Sequence, residues 1–521
     1  MKWFLILVAL ALGLESRLHV HGQSSYTHYV TPDGVGSLCT ETVPCSLQEA
    51  VARVKAGTIG PGSVVHGAAG FYSALRLTIA GRGVSFVFDR GAVLTGTRVK
   101  PAAWVPVEGY PHVWQTEWDE AAFAVGTVAQ RSPASWQPIR VDDHGPPPAR
   151  VAFGRPFDLV KPVKLKGVST LPQVEAQSGT WAASFTANRV YVHPYHDGAP
   201  TDADDLWIAP ADWGSLVITG RDIRIEGLEV RNTSGTGLWV QRSAAGAILR
   251  HITAVDAQVW LEGIGTLAED LDVSHVIKQG DPSHQECYDA NPAFGMGECW
   301  NAQGDGRALL VGREGSGVSY GQTLRHIRVH RSWNGGRVDG PNTLERATFY
   351  SFPNHTLEAS GQGVTVRDSV FLNGQDSLFA RGAFGGWRLE RNVFVNAVYI
   401  TASNNGVGGV APGAWFFERN ILPAFTLDRL AYAALALSDC NVWMESGNNL
   451  YRVLDTNGVR GFTLSTLAQV KVATPHEQDS KALPSSWWTG GRLFARFDGQ
   501  AVEPFDFGDP LKVCGVRAGP S

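Results

Sequence analysis

Three short segments of this chain repeat one another at a spacing that leaves few folds open. They read Val366-Arg-Asp-Ser-Val-Phe-Leu, Leu389-Glu-Arg-Asn-Val-Phe-Val and Phe417-Glu-Arg-Asn-Ile-Leu, and their matching apolar residues Val370, Val393 and Ile421 lie 23 and 28 positions apart. Ile225-Glu-Gly-Leu-Glu-Val and Leu249-Arg-His-Ile-Thr-Ala are earlier copies, with Leu228 and Ile252 24 apart, and Leu324-Arg-His-Ile-Arg-Val is another. Each copy alternates apolar and polar residues over a strand's length, then enters Gly- and Asn-rich turn chemistry. No segment between them carries a convincing helical period of ten residues, which argues against βαβ units. One coil cannot bury its inward apolar row alone; stacking at about 4.8 Å per rung pairs the backbone and completes the core. The expected class is all-β, a right-handed parallel β-helix (solenoid) whose uneven spacing sends loops of different length out of the coils.

The rest of the chain is arranged around that stack. Lys2 followed by the apolar run Trp3 to Leu14 reads as an export signal over residues 1–22, too short to span a bilayer. Residues 23–103 hold Tyr29-Val-Thr-Pro-Asp-Gly and Gln48-Glu-Ala-Val, a strand and an amphipathic helix that caps the open end, with the first coils behind them. Residues 104–205 break the period, are rich in Pro and Trp, and form an inserted β-rich segment. The main β-helix covers 206–440, and 441–521 supplies C-terminal coils and a capping arm with a short helix over Leu464 to Val472. Hydrophobic residues at 44% and charged residues at 18% exclude disorder, and a net charge of −5 offers no broad basic surface for nucleic acid. No second long apolar run appears, so no membrane span is expected. Six cysteines without any CxxC pattern fit an oxidising compartment, paired in order as Cys39–Cys45, Cys287–Cys299 and Cys440–Cys514. Asn232-Thr-Ser and Asn354-His-Thr match the glycosylation pattern.

Four features together resemble the secreted pectin-lyase-like β-helix proteins, which include glycoside hydrolases and polysaccharide lyases. They are the Tyr29-Val-Thr-Pro-Asp-Gly start with its helix, the Trp181 and Tyr191-Val-His-Pro insertion, the coil repeat, and Phe462-Thr-Leu-Ser-Thr-Leu with His476-Glu-Gln-Asp-Ser-Lys-Ala-Leu-Pro. The resemblance implies a secreted protein that meets polysaccharide. It transfers no catalytic motif: the paired-Asp pattern of polygalacturonases and the Asp-Pro-His-Asp of mannuronan epimerases are both missing.

Candidate chemistry comes from aligning rungs. Setting Val338, Leu357 and Leu378 inward stacks Asp339, Glu358 and Phe379 on the outer face, so that Asp339 and Glu358 become neighbouring carboxylates. The same alignment puts His355 beside Asp376, with Arg337 and Arg381 near. Two carboxylates suit glycoside hydrolysis, their separation setting retention or inversion. His355 with Asp376 instead suits proton abstraction, with an arginine neutralising a uronic acid. Trp300, Trp333 and Trp387 fall near this face as platforms for a sugar ring. The loop from Lys278 to Arg313 crowds His284, Glu286, Asp289, Glu298, Asp305 and Arg313 and is the second candidate lining, His284 and Arg313 as substrate contacts. Its carboxylates are the oxygen ligands that Ca²⁺ takes, the one cofactor expectation raised. The functional expectation is a secreted carbohydrate-active enzyme, glycoside hydrolase or polysaccharide lyase. The rival is a non-catalytic β-helix that binds surface glycans as an adhesin or envelope component.

Overall fold

The computed structural model describes the chain from residue 27 to residue 517, apart from 131–162, 277–306, 313–319, 351–355, 373–377, 382–386, 402–414, 485–511 and shorter stretches between strands. The signal segment, His284, Cys287, Cys299, Trp300, Arg313, Trp333, His355 and Asp376 therefore lie outside the described residues, as do both glycosylation asparagines. The body is a right-handed parallel β-helix. Its coils turn through three strand stacks, two of them joined at a bend into a 22-stranded sheet and the third a 12-stranded sheet.

The repeat sets the stacking. Val370 pairs with Val393 and Val393 with Ile421, while Glu229 pairs with Thr253, which puts Leu228 level with Ile252. Inside the coils, Phe349, Phe371 and Phe394 stack at 5.4 and 5.0 Å between ring centres. At the bend, residues with positive φ recur once per coil: Gly227, His251, Asp270, His326, Arg346, Asp368, Arg391, Arg419 and Cys440. The next residue always turns inward. Through the first half it is aliphatic (Leu228, Ile252, Leu271, Ile327), and then it becomes Ser369, Asn392, Asn420 and Asn441, all buried. These amides bond from coil to coil: the backbone N–H of Asn392 donates to Asn420 Oδ1 at 2.9 Å, and that of Asn420 to Asn441 Oδ1 at 2.8 Å. Burying a polar column is tolerable only because each amide is satisfied by the next. Glu477 ends the column, accepting from Ser438, Asn441, Trp443 and Ser480. Burial pushes its carboxyl above the usual range, against the pull of these donors.

Helix α1 (Leu47–Ala56) starts at Ser46, whose hydroxyl accepts from the Glu49 N–H, and stops at Gly57. Its face of Leu47, Ala50, Val51 and Val54 is buried in the core of the coils. The coil sequence is then interrupted: Leu77–Ile79 pairs with Leu216–Ile218, Ser85–Phe88 with Arg224–Glu226 and Ala92–Thr95 with Glu229–Arg231. The intervening chain forms its own three-stranded sheet and a five-stranded sheet on which helix α2 (Leu171–Ala176) packs, with separate small cores. At the far end, Arg460–Leu464 runs antiparallel onto Tyr451–Leu454 and closes the 12-stranded sheet. Helix α3 is Leu467–Ala473 rather than Leu464 to Val472: Thr466 and Gln469 form a reciprocal cap that fixes the start, so Leu464 stays in the strand. Disulfides join Cys39 to Cys45 and Cys440 to Cys514.

Candidate active face of the 12-stranded sheet

Successive side chains on strands of the 12-stranded sheet point to opposite faces, so those turned away from the coil interior form straight rows across the coils. One row contains Trp239, Trp260, Leu310, Arg337 and Glu358, in register from strand to strand. The neighbouring row lies one residue past the buried Leu261, Val311 and Val338, and so contains Glu262, Gly312 and Asp339. Trp239 and Trp260 are half-buried and stack at 5.1 Å with planes 9° apart. Each indole N–H reaches diagonally to the next coil: Trp239 Nε1 donates to Glu262 Oε2 at 2.8 Å, and Trp260 Nε1 to the Gly312 carbonyl at 3.2 Å. The exposed Arg76 sits 5.6 Å over the Trp239 ring. The result is a ladder of two indoles stacked on each other and locked in one orientation, their edges outward, with a carboxyl beside them.

The carboxylates differ in their partners. Arg337 Nε donates to Asp339 Oδ2 at 2.8 Å. Arg307 donates to Glu358 Oε2 twice, from Nε at 2.9 Å and from Nη2 at 2.6 Å. Glu262 makes no ion pair among the described residues and is held by the neutral indole of Trp239. Glu262 and Asp339 occupy one row two coils apart, about 9.6 Å by strand spacing. Gly312 stands between them. A Cβ there would lie 2.6 Å from the Asp339 carbonyl oxygen, and its φ of 81° is one that only glycine adopts freely. Gly312 itself therefore puts no side chain between the two carboxyls. All three carboxyls lie in the floor of the face, 3 to 4% exposed.

The structure revises the alignment drawn from sequence. Val338, Leu357 and Leu378 are indeed buried. Yet Arg337 pairs with Glu358 and Asp339 with Ser360, two residues away from the expected register. The cause is Gly336, which takes the inward place opposite Leu357. A Cβ at Gly336 would meet Phe349 Cε1 and the Leu309 carbonyl oxygen, each at 3.2 Å, so the Phe349 ring occupies space that a side chain would need. A shift of two keeps every side chain on its face but changes its neighbour. Asp339 and Glu358 are consequently offset, with about 8 Å between their Cα atoms by strand geometry. Arg381 ends the strand Leu378–Arg381 opposite Thr401, and its side chain lies outside the description. Trp387 is no surface platform: it is 1% exposed and stacks on Trp415 at 5.2 Å inside the coil, where large rings fill the core.

Trp239, Trp260, Glu262 and Arg307 escaped the sequence reading. The signal was present: Leu238-Trp-Val and Val259-Trp-Leu place a Trp between two inward residues at a spacing of 21, one coil. Extending the rung alignment upstream of Leu309 would have put both indoles outside.

Fold and face together define a parallel β-helix protein that gathers aromatic and ionisable groups along one outer sheet. No protein-family model and no curated protein matches the chain. Among solved structures it is similar to XylC in complex with xylose, at 12% identity over 80% of this chain and 68% of that one, TM-score 0.39. A glycoside hydrolase is similar at 10% identity over 83% and 95%, TM-score 0.41. The pectate lyase Pel9A is similar at 11% identity over 78% of each chain, TM-score 0.36. These are likenesses of architecture alone.

Proposed function

We propose that the chain is an extracellular carbohydrate-active enzyme that hydrolyses a polysaccharide lying along the outer face of the 12-stranded sheet. The observation that carries this reading is the Glu262–Asp339 pair across Gly312, flanked by the Trp239–Trp260 ladder. The outward edges of the two stacked indoles form a rigid apolar strip against which a sugar can pack, and a rigid pair loses little entropy on binding. The backbones of the two residues stand about 9.6 Å apart by strand spacing, and side chains that lean towards each other would bring their carboxyls into the span of about 6.5 to 9.5 Å that leaves room for a water in the inverting arrangement. In this reading Glu262, which makes no ion pair among the described residues, transfers the proton to the leaving oxygen. Asp339, oriented by Arg337, activates the water. Glu358 and Arg307 form the fixed polar floor beyond. The two disulfides support an oxidising, extracellular setting.

The test is a panel of neutral and acidic polysaccharides, scored for new reducing ends and for the ultraviolet absorbance of unsaturated ends. Reducing ends without that absorbance are expected, and Glu262→Gln should slow turnover by about 10²- to 10⁴-fold, the usual contribution of a positioned acid. Unsaturated products, or full turnover by the Glu262 variant, would overturn the assignment. The Arg-paired carboxylates favour one rival, a glycan-binding face without catalysis; binding that depends on Trp260 with no cleavage of any substrate would establish it.

A further inference from the structure

The inserted β-rich segment carries a second constellation, remote in sequence from the sheet face and independent of the proposed hydrolytic site. His112 lies in the strand Tyr110–Glu117 and His193 ends the strand Arg189–His193, which pairs antiparallel with it. Their rings stack at 5.3 Å with planes 12° apart. Asp197 follows in the next turn. One nitrogen of each ring and one Asp197 carboxylate oxygen all lie within 4.8 Å of one another.

Helix α2 supplies an orienting acceptor to the His193 ring and places a carboxyl near the His112 ring. His193 is buried, and its Nδ1 lies 2.9 Å from the Val174 carbonyl, which can only accept. That contact makes Nδ1 the protonated nitrogen and leaves the Nε2 lone pair facing Asp197 Oδ1 at 2.6 Å. A lone pair and a carboxylate do not share so short a contact unless a proton or a metal ion stands between them. His112 turns its Nε2 towards Glu175 Oε1 at 3.9 Å, while Glu175 Oε2 is itself held by the His112 backbone N–H at 3.1 Å. Its Nδ1 lies 3.4 Å from the Asp197 carbonyl oxygen, a long contact that a bound ring can give up. Val174 thus orients the His193 imidazole in the way that acceptors behind metal-bound histidines do, while Glu175 holds the His112 backbone and keeps a carboxyl near its ring.

We propose that His112, His193 and Asp197 bind one divalent transition-metal ion of the Zn²⁺ type. Two imidazoles and a carboxylate are the donor set that Zn²⁺ favours over Ca²⁺ or Mg²⁺, which prefer oxygen alone. Tetrahedral Zn²⁺ holds its ligand atoms about 3.3 Å apart. The cluster reaches that spacing by a small opening of the His193–Asp197 contact and a closing of His112, whose side chain and that of Asp197 are both on the surface. A bound ion would tie two strands and the following turn together and leave a fourth position open to water.

The experiment is calorimetric titration of ZnCl₂ into the chelator-treated, full-length protein, with Co²⁺ absorption as a second readout. One saturable site per chain is expected, together with the intense visible bands of four-coordinate Co²⁺. His112→Ala and Asp197→Ala should each weaken binding at least tenfold, in line with the loss of one ligand. Both residues are exposed, so these variants should fold even if His193→Ala does not, and circular dichroism checks this. No saturable binding by the wild type, or binding that both surface variants retain at full strength, would overturn the site. The first outcome would identify the cluster as an imidazolium–carboxylate pair.

Discussion

Gly312 shows how much one missing side chain can decide. It sits between Glu262 and Asp339, its N–H donates to the Leu261 carbonyl at 2.7 Å, and its own carbonyl takes the Trp260 indole N–H. Gly312→Ala meets two costs: a positive φ, about 1 to 2 kcal/mol for an L-residue, and a collision with the Asp339 backbone. The expected outcome is a loss of about 3 kcal/mol in chemical denaturation, with hydrolysis falling further than stability because a side chain then stands between the two carboxyls. Wild-type stability and turnover in this variant would mean that the coil is looser than its geometry indicates. Trp260→Ala belongs to the same scale. It removes half of the indole strip, and glycan affinity measured by calorimetry should drop about threefold to tenfold, the worth of one aromatic contact.

At the scale of the element, the asparagine column explains how a strand only two or three residues long holds its register. Asn420 accepts from the Asn392 N–H and Nδ2, and gives its own amide to the Leu389 carbonyl at 2.9 Å. Asn420→Ala takes the side-chain partner from the buried Asn392 N–H and from the Leu389 carbonyl on the preceding coil, at about 1 to 3 kcal/mol each, while Asn441 keeps the Asn420 backbone N–H. Urea denaturation should therefore show a loss of about 3 kcal/mol, larger than the removal of an exposed Asn would give. A loss under about 1 kcal/mol would mean that water replaces the amide. The same column is aliphatic in the earlier coils, so its polar half is a local device rather than a requirement of the fold.

For the molecule as a whole, charge ladders on the outer surface tie coil to coil. Glu345 lies between Arg325 and Arg367, and Asp272 takes His330 and Arg328. Burial would raise both carboxyls, but hydrogen bonds and charge outweigh it, from Arg367 and Arg325 for Glu345 and from His330 and Arg328 for Asp272, so both are lowered from ordinary values of 4.5 and 3.8. A carboxyl depressed in the folded state contributes stability that is complete above its unfolded value and lost as pH falls through the folded one. Thermal midpoints should therefore hold steady down to about pH 5 and fall steeply below. Glu345→Gln should flatten part of that acid limb; an unchanged limb would assign it to other groups.

Much of this architecture is written in the chain as a period. Alternation of apolar residues at coil spacing demands an interior row, and only stacked coils bury it, so Val370, Val393 and Ile421 can be matched from their spacing alone. The register within a coil was not legible, because Gly336 fills an inward place that an apolar pattern never marks, and the ring that compensates, Phe349, belongs to another strand. The same holds for function. Rung alignment reaches Asp339, and coil spacing can mark Trp239 as outward, but nothing local marks Glu262 and Gly312 as their neighbours. Periodicity is a property of the chain and survives without a fold, whereas adjacency across coils depends on loop lengths and packing that exist only once the stack has closed.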